Sequence, residues 1–250
     1  MTTESPFLRS AMLLGEENVR RLARSAVLLC GVGGVGSYVA EGLARAGVGR
    51  IGLVDHDRVA LSNCNRQLIA LHSTLGQPKA QAAARRIQDI NPDCQAEVFD
   101  LFYGPDTCQA LDLSRYDYIV DAVDTVTAKL LLIQRAKEAG VPIISCMGTG
   151  NKLDPSRFRI SDLSKTSVCP LARVMRRELK QRGISHVEVL WSDEPPRTPL
   201  SLAPEEECDP SQGRPGKQTP GSLPFVPSVA GLMIAGHVVL RLCEEGLTAR

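Results

Sequence analysis

At 250 residues, with 43% hydrophobic and 23% charged side chains and a net charge of +1, the chain is long and apolar enough to bury a substantial core. That balance excludes a disordered chain and a bulk polycation, so a nucleic-acid surface would have to come from local clustering of basic residues. The eight cysteines (Cys30, Cys64, Cys94, Cys108, Cys146, Cys169, Cys208 and Cys243) contain no C-x-x-C pair. This argues against a zinc ribbon or a disulfide framework and leaves most of them as small buried hydrophobes in a reducing compartment. No charged-then-apolar leader with a cleavage site opens the chain, and the expected location is the cytoplasm.

In chain order, Ala26 to Leu29 is a short apolar run that meets glycines, as a buried parallel strand does. Tyr38 to Ala46 follows with helical spacing and stops at Gly47. Ile51 to Val54 is a second strand ending at Asp55. Pro78 marks a helix start, and that helix runs through Ile87 and Ile90. Glu97 to Phe99 is a weak third strand, and Tyr118 to Val120 and Pro142 to Ser145 are two more, flanking a helix from about Thr127 to Ala139. This alternation predicts right-handed βαβ units, hence a Rossmann-like α/β fold with a mostly parallel sheet and helices on both faces. Beyond Gly150 the pattern becomes irregular. Ala172 to Gln181 reads as a helix, and Ser192 to Ser222, rich in Pro, Gly, Glu and Ser, as a mobile loop. Val226 to Cys243 is interrupted by Pro227, glycines and polar residues, so it is expected to be a packed C-terminal helix rather than a membrane span. The expected division is a nucleotide-binding domain over 1–150 and a C-terminal extension over 151–250.

The first chemical signal is Gly31-Val32-Gly33-Gly34-Val35-Gly36, a G-x-G-x-x-G between a strand and a helix. Glycines let the backbone turn tightly against a phosphate, and the helix N-terminus supplies free N–H groups and partial positive charge. Asp55 lies 19 residues after Gly36 at the end of the next strand, where a carboxylate accepts ribose hydroxyls. A nicotinamide-dependent dehydrogenase fits up to this point. In an open α/β sheet, however, the carboxyl ends of the strands share one edge, so Gly31, Asp55 and Asp124 face one crevice, with Arg66 and Lys79 arriving from connecting segments. Two cations, a carboxylate and a glycine turn suit a triphosphate with Mg²⁺ better than an apolar nicotinamide slot.

Several motifs in register then carry a resemblance. They are the G-x-G-G-x-G turn, Val54-Asp55-His56-Asp57, Ser62-Asn63 through Asn65-Arg66-Gln67, Gly76-Gln77-Pro78-Lys79 and Asp121 through Asp124. From Leu13 to about Ser145 the chain resembles the adenylating domain of the ubiquitin-activating, ThiF, MoeB and HesA superfamily. The resemblance implies ATP at Gly31, Gly33, Gly34, Gly36, Asp55 and Asp57, with Asn63, Arg66 and Lys79 on the phosphates and Asp124 on Mg²⁺. It also implies a homodimer in which Arg9 reaches the γ-phosphate bound by the partner subunit.

The superfamily branches that activate sulfur-carrier proteins usually hold zinc through two C-x-x-C pairs, which this chain lacks. Instead, Met147 through Pro155, Lys165 through Ala172 and Phe225 through Gly231 resemble the tRNA threonylcarbamoyladenosine dehydratase family. That likeness implies ATP-dependent cyclisation of N6-threonylcarbamoyladenosine in tRNA through a carboxyl adenylate. It further suggests a structural monovalent cation and a cysteine desulfurase or sulfur-acceptor partner. Arg173, Arg176, Arg177 and Lys180, at i, i+3, i+4 and i+7, become the expected tRNA-backbone contacts. Ring closure needs no enzyme thioester, so Cys169 is not required as a nucleophile. Two alternatives stay open: an adenylating enzyme for the C-terminus of a ubiquitin-like sulfur carrier, and a nucleotide-binding module without catalysis.

Overall fold

A computed structural model describes residues 5–200 and 220–243. A seven-stranded sheet in the order β3-β2-β1-β4-β5-β7-β6 organises the chain. Its strands are β1 (Ala26–Cys30), β2 (Arg50–Val54), β3 (Gln95–Phe99), β4 (Tyr118–Asp121), β5 (Ile143–Cys146), β6 (Phe158–Asp162) and β7 (Glu188–Ser192). All neighbouring pairs are parallel except β6 with β7. The central strands β1, β4 and β5 are buried at every position, which explains why they read as unbroken apolar runs.

Helices cover both faces. On one face lie α3 (Gly36–Ala46), α4 (Lys79–Ile90) and α7 (Phe225–Leu242). On the other lie α5 (Val126–Glu138) and α6 (Pro170–Gln181). Two short N-terminal helices, α1 (Leu8–Leu14) and α2 (Glu16–Arg24), precede β1. The parallel order reverses between β1 and β4, the switch point at which open α/β sheets bind ligands.

The expected strands and helices up to Cys146 are present, most of them longer by one or a few residues. The irregular reading after Gly150 is corrected: β6 and β7 extend the same sheet, β7 in parallel with β5. β6 was hidden because it is an edge strand whose only fully buried residue is Phe158. α2 has little apolar periodicity to mark it, because charged residues fill all but Asn18, Val19, Leu22 and Ala23. Ser192, the expected loop start, is a buried strand residue. Residues 193–200 carry no regular structure, and the bulk of the expected loop, 201–219, lies outside the described residues.

α7 is long and apolar enough to cross a membrane by length and composition. Here it packs on α3, with Val226, Ala230, Ile234 and Val238 wholly buried, as the packed C-terminal helix expected. The crossing is close because glycines line it. A Cβ at Gly231 would lie 2.4 Å from the Val35 carbonyl oxygen, and one at Gly42 2.6 Å from Ala235 Cβ.

Candidate active site

The glycine turn leaves the end of β1 and enters α3 directly. Gly31 holds φ +88°, and a Cβ there would sit 2.6 Å from the Ala122 carbonyl oxygen. At Gly36 it would sit 1.9 Å from the Gly31 carbonyl oxygen. Both positions therefore exclude any side chain. Gly34 faces Pro227 of α7 and the Arg66 stem, at 3.2 and 3.5 Å from an added Cβ. The start of α7 thus supports the phosphate turn from behind.

Asp55 leaves β2 and ties itself to that turn: Oδ2 accepts from Val32 N–H at 2.7 Å and Oδ1 from Asp57 N–H at 2.8 Å. Burial pushes its carboxyl above the ordinary aspartate value, against the pull of those donors and of Lys79. Lys79, the first residue of α4, is only 6% exposed and donates to Asp57 Oδ2 at 2.7 Å. A lysine at a helix N-terminus opposes the dipole, and the carboxylate of Asp57 offsets that cost. Asn63 is buried, and its Oδ1 accepts from Ala60 N–H at 3.1 Å, which shapes the loop that presents Arg66. Arg66 donates only to Ser62 O and Asn65 Oδ1 and joins no ion pair among the described residues. Partial burial pulls its guanidinium below the ordinary arginine value. A half-buried arginine without a carboxylate, touching a phosphate-type turn, is ready for an anion.

Asp124 stands exposed just past β4, two residues beyond the Ala122 segment that packs on Gly31, and accepts from Thr125 Oγ1 at 3.2 Å. Asp55, His56 and Asp57 also converge closely enough to share an ion. Asp57 is already committed to Lys79 there, so Asp124 is the freer hard oxygen donor.

The expected residues do not all gather. Arg9 is exposed on α1, and the preceding Phe7 packs on Gly47, at the opposite edge of the sheet from the glycine turn. On α6, Arg173, Arg177 and Lys180 are exposed. Arg176 instead turns inward and donates to the Thr166 carbonyl oxygen at 2.7 Å and to its hydroxyl, so it is a fold contact rather than a free member of that stripe. Cys169 is buried at the N-terminal end of α6.

Two groupings were not visible in the sequence, although Asp121 and Lys152 each lie in a motif quoted above. Lys129 Nζ lies 3.1 Å from both Asp121 carboxylate oxygens and 2.7 Å from Cys146 O, with Ser145 Oγ also donating to Asp121. Lys129 and Asp121 are 1% and 0% exposed and brace the ends of β4 and β5 beneath the crevice. The available signal was a lysine set among Ala128, Leu130, Leu132 and Ile133, all on the buried side of α5. The second group surrounds Lys152 and Glu194, both buried.

A glycine turn at a helix N-terminus, a ribose-type carboxylate, an unpaired arginine and a buried lysine define a Rossmann-like protein that binds a nucleotide through its phosphates. The chain belongs to the ThiF family, whose model matches residues 7–249. It is 45% identical to the Bacillus subtilis tRNA threonylcarbamoyladenosine dehydratase over 96% of this chain and 95% of that protein. It superposes with a TM-score of 0.81 on the crystal structure of E. coli tRNA N6-threonylcarbamoyladenosine dehydratase, TcdA, in complex with ATP, at 31% identity over 98% of this chain and 96% of that one. Similarity to the sulfur carrier protein adenylyltransferase of Thermus thermophilus, 37% identical, covers 52% of this chain and 48% of that protein.

Proposed function

We propose that this protein uses ATP to dehydrate N6-threonylcarbamoyladenosine in tRNA, closing the threonine side chain into a ring through a carboxyl adenylate. The observation that carries the reading is that likeness to the B. subtilis dehydratase spans 96% of the chain, including β6, α6, β7 and α7. Likeness to the sulfur-carrier enzyme spans about half of it. The cationic nucleotide site is common ground between these two chemistries; the C-terminal segment is what separates them.

In this reading Asp55 takes the ribose hydroxyls, and the Gly31–Gly36 turn offers N–H groups to the phosphates. Arg66 and Lys79 stabilise charge on the α-phosphate as the threonine carboxylate attacks it and pyrophosphate leaves. Lys79 exchanges Asp57 for phosphate when nucleotide binds. Mg²⁺, when bound with ATP, neutralises phosphate charge, and Asp124 is the residue to hold it. The substrate carboxylate is ionised at neutral pH, so the protein needs no nucleophile of its own for this step. The tethered ureido group then closes the ring, helped by high effective concentration, and expels AMP.

Two further elements belong to the proposal. Arg9 cannot serve its own crevice from the opposite sheet edge, and α1 buries no residue while leaving Met12 and Leu13 73% and 82% exposed. A homodimer in which α1 docks on a second copy accounts for both. Arg173, Arg177 and Lys180 would take tRNA phosphates, in the cytoplasm where the substrate resides. A sulfur-acceptor partner draws no support from the described cysteines, of which only Cys64 is not buried.

The test is to incubate the protein with ATP, Mg²⁺ and tRNA carrying threonylcarbamoyladenosine, digest the tRNA and weigh its nucleosides. The expected result is a nucleoside lighter by one water, formed with AMP and pyrophosphate and lost in Asp124→Ala. An unchanged nucleoside with ATP bound points to a sulfur-carrier protein as the substrate, and ADP as the product excludes the adenylate.

A further inference from the structure

The nucleotide site accounts for the edge of the sheet over β2, β1 and β4. The next strands along that edge, β5 and β7, carry a buried polar group with no role so far. Lys152 follows β5 and is 4% exposed. Its Nζ donates to the main-chain oxygen of Glu194 at 2.6 Å. The Glu194 carboxylate, past the end of β7, is occupied: Oε1 accepts from Leu153 N–H at 2.9 Å and Oε2 from Asp154 N–H at 3.1 Å. Lys152 joins no ion pair among the described residues. An ammonium has three donors to satisfy, whereas a neutral amine with one bond made keeps a lone pair free. Burial favours the neutral form and lowers the Lys152 pKa; Cys169, Glu194 and Asp193 draw it back up, and Arg157 pushes it further down.

The backbone beside Lys152 and Cys169 is strained. Asn151, beside Lys152, and Val168, beside Cys169, both hold φ +61°. A β-branched residue in that region is a backbone outlier of the kind that gathers at ligand sites. Gly148 lies against the same segment: an added Cβ there would meet Cys169 Sγ and Leu171 Cβ at 4.0 Å, an ordinary contact.

Position along the edge says what Lys152 lies beside. With ribose over β2 and phosphates over β1 and β4, the next strand along the edge is β5, one strand spacing of about 4.8 Å further. We propose that the region beyond the carboxyl ends of β5 and β7 receives the threonylcarbamoyl end of the substrate and that Lys152 takes the proton released on ring closure. The inference rests on the function proposed above. In that step the ureido group attacks the carbonyl carbon of the acyl adenylate, and the new ring bond forms as the bond from that carbon to the phosphate oxygen breaks. AMP leaves with that electron pair, and the ureido N–H proton passes to the lone pair on Lys152 Nζ. Lys152 is thereby a catalytic residue of the second half-reaction only.

The two half-reactions can be read separately on the full-length protein. Pyrophosphate–ATP exchange that depends on the modified tRNA reports adenylation, and nucleoside mass after a single turnover reports ring closure. In Lys152→Met and Lys152→Arg, exchange is expected to stay near wild type while ring closure falls by about a hundred-fold or more. The wild-type ring-closure rate should rise with pH as the amine deprotonates, and that rise should vanish in Lys152→Arg. Added ethylamine should restore ring closure to Lys152→Ala, which a merely structural lysine would not allow. If Lys152→Met fails to fold, the arginine variant and the wild-type pH profile decide. Ring closure at the wild-type rate in Lys152→Arg overturns the proposal, as does parallel loss of both half-reactions without amine rescue. Wild-type protein that binds ATP yet leaves the tRNA unchanged overturns the function itself, whatever the variants do.

Discussion

Lys129 and Asp121 illustrate how much a single buried pair carries. Each is wholly enclosed, and the bonds from Ser145 Oγ and to Cys146 O leave few of their polar atoms unpaired. Removing one partner strands the other charge, which costs far more than the pair itself contributes. Lys129→Met is therefore expected to lower the unfolding free energy by about 3–5 kcal/mol, measured by chemical denaturation. Part of that loss should return in the double variant Lys129→Met/Asp121→Asn, which removes the stranded charge. A second expectation at this scale concerns the glycine turn. A methyl at Gly36 meets the Gly31 carbonyl oxygen at 1.9 Å, so Gly36→Ala must displace the backbone that would contact phosphate. Calorimetry should find ATP affinity reduced at least ten-fold, together with a lower Tm.

Between elements, α3 is held on two sides. Arg86 of α4 donates to Glu41 of α3 at 2.6 and 3.0 Å, and Arg45 donates to the same carboxylate. Burial pushes the Glu41 carboxyl up, but these hydrogen bonds outweigh it and leave the group below the ordinary 4.5. A folded pKa below the unfolded one gives stability that is present above pH 4.5 and lost as pH falls through the lowered value. The Tm difference between wild type and Glu41→Gln should accordingly be constant near neutrality and shrink toward zero in acid. On the opposite side, α7 can approach α3 only because Gly231 and Gly42 lack side chains. Gly231→Val should force the helices apart and, through Pro227 behind Gly34, loosen the phosphate turn, so stability and ATP affinity should fall together.

For the whole molecule, the decisive question is whether the crevice is complete in one chain. Arg9→Ala and Asp124→Ala are each expected to abolish turnover. Mixed and allowed to exchange, they should recover about a quarter of wild-type activity, because half of the dimers then hold one intact site. No recovery on mixing would mean that Arg9 does not serve the site of the partner subunit. The composition of +1 over 250 residues already required any tRNA surface to be local, and α6 provides the candidate patch. Charge reversal of Arg173, Arg177 and Lys180 together should weaken tRNA binding and flatten its salt dependence while leaving ATP binding intact. Arg176→Ala should instead lower Tm, since its guanidinium is spent on Thr166.

What the sequence determined by itself was the nucleotide-binding half. Buried parallel strands are short apolar runs, phosphate turns need glycine, and strand-end carboxylates recur at fixed spacing, so Gly31 to Gly36 and Asp55 were legible as local patterns, whereas Arg66, Lys79 and Asp124 stood out as candidates only together and through the family resemblance. Tertiary structure alone decided the rest. β6 has no periodic signature because an edge strand buries little, and it becomes a strand only against β7. Arg176 separates from Arg173, Arg177 and Lys180 only once Thr166 is folded beneath α6. Lys129 and Lys152 look like any surface lysine in one dimension. What makes them exceptional is burial beside groups distant in sequence, Asp121 and Cys146 for one and Glu194 for the other, and burial is a property of the packed chain rather than of its order.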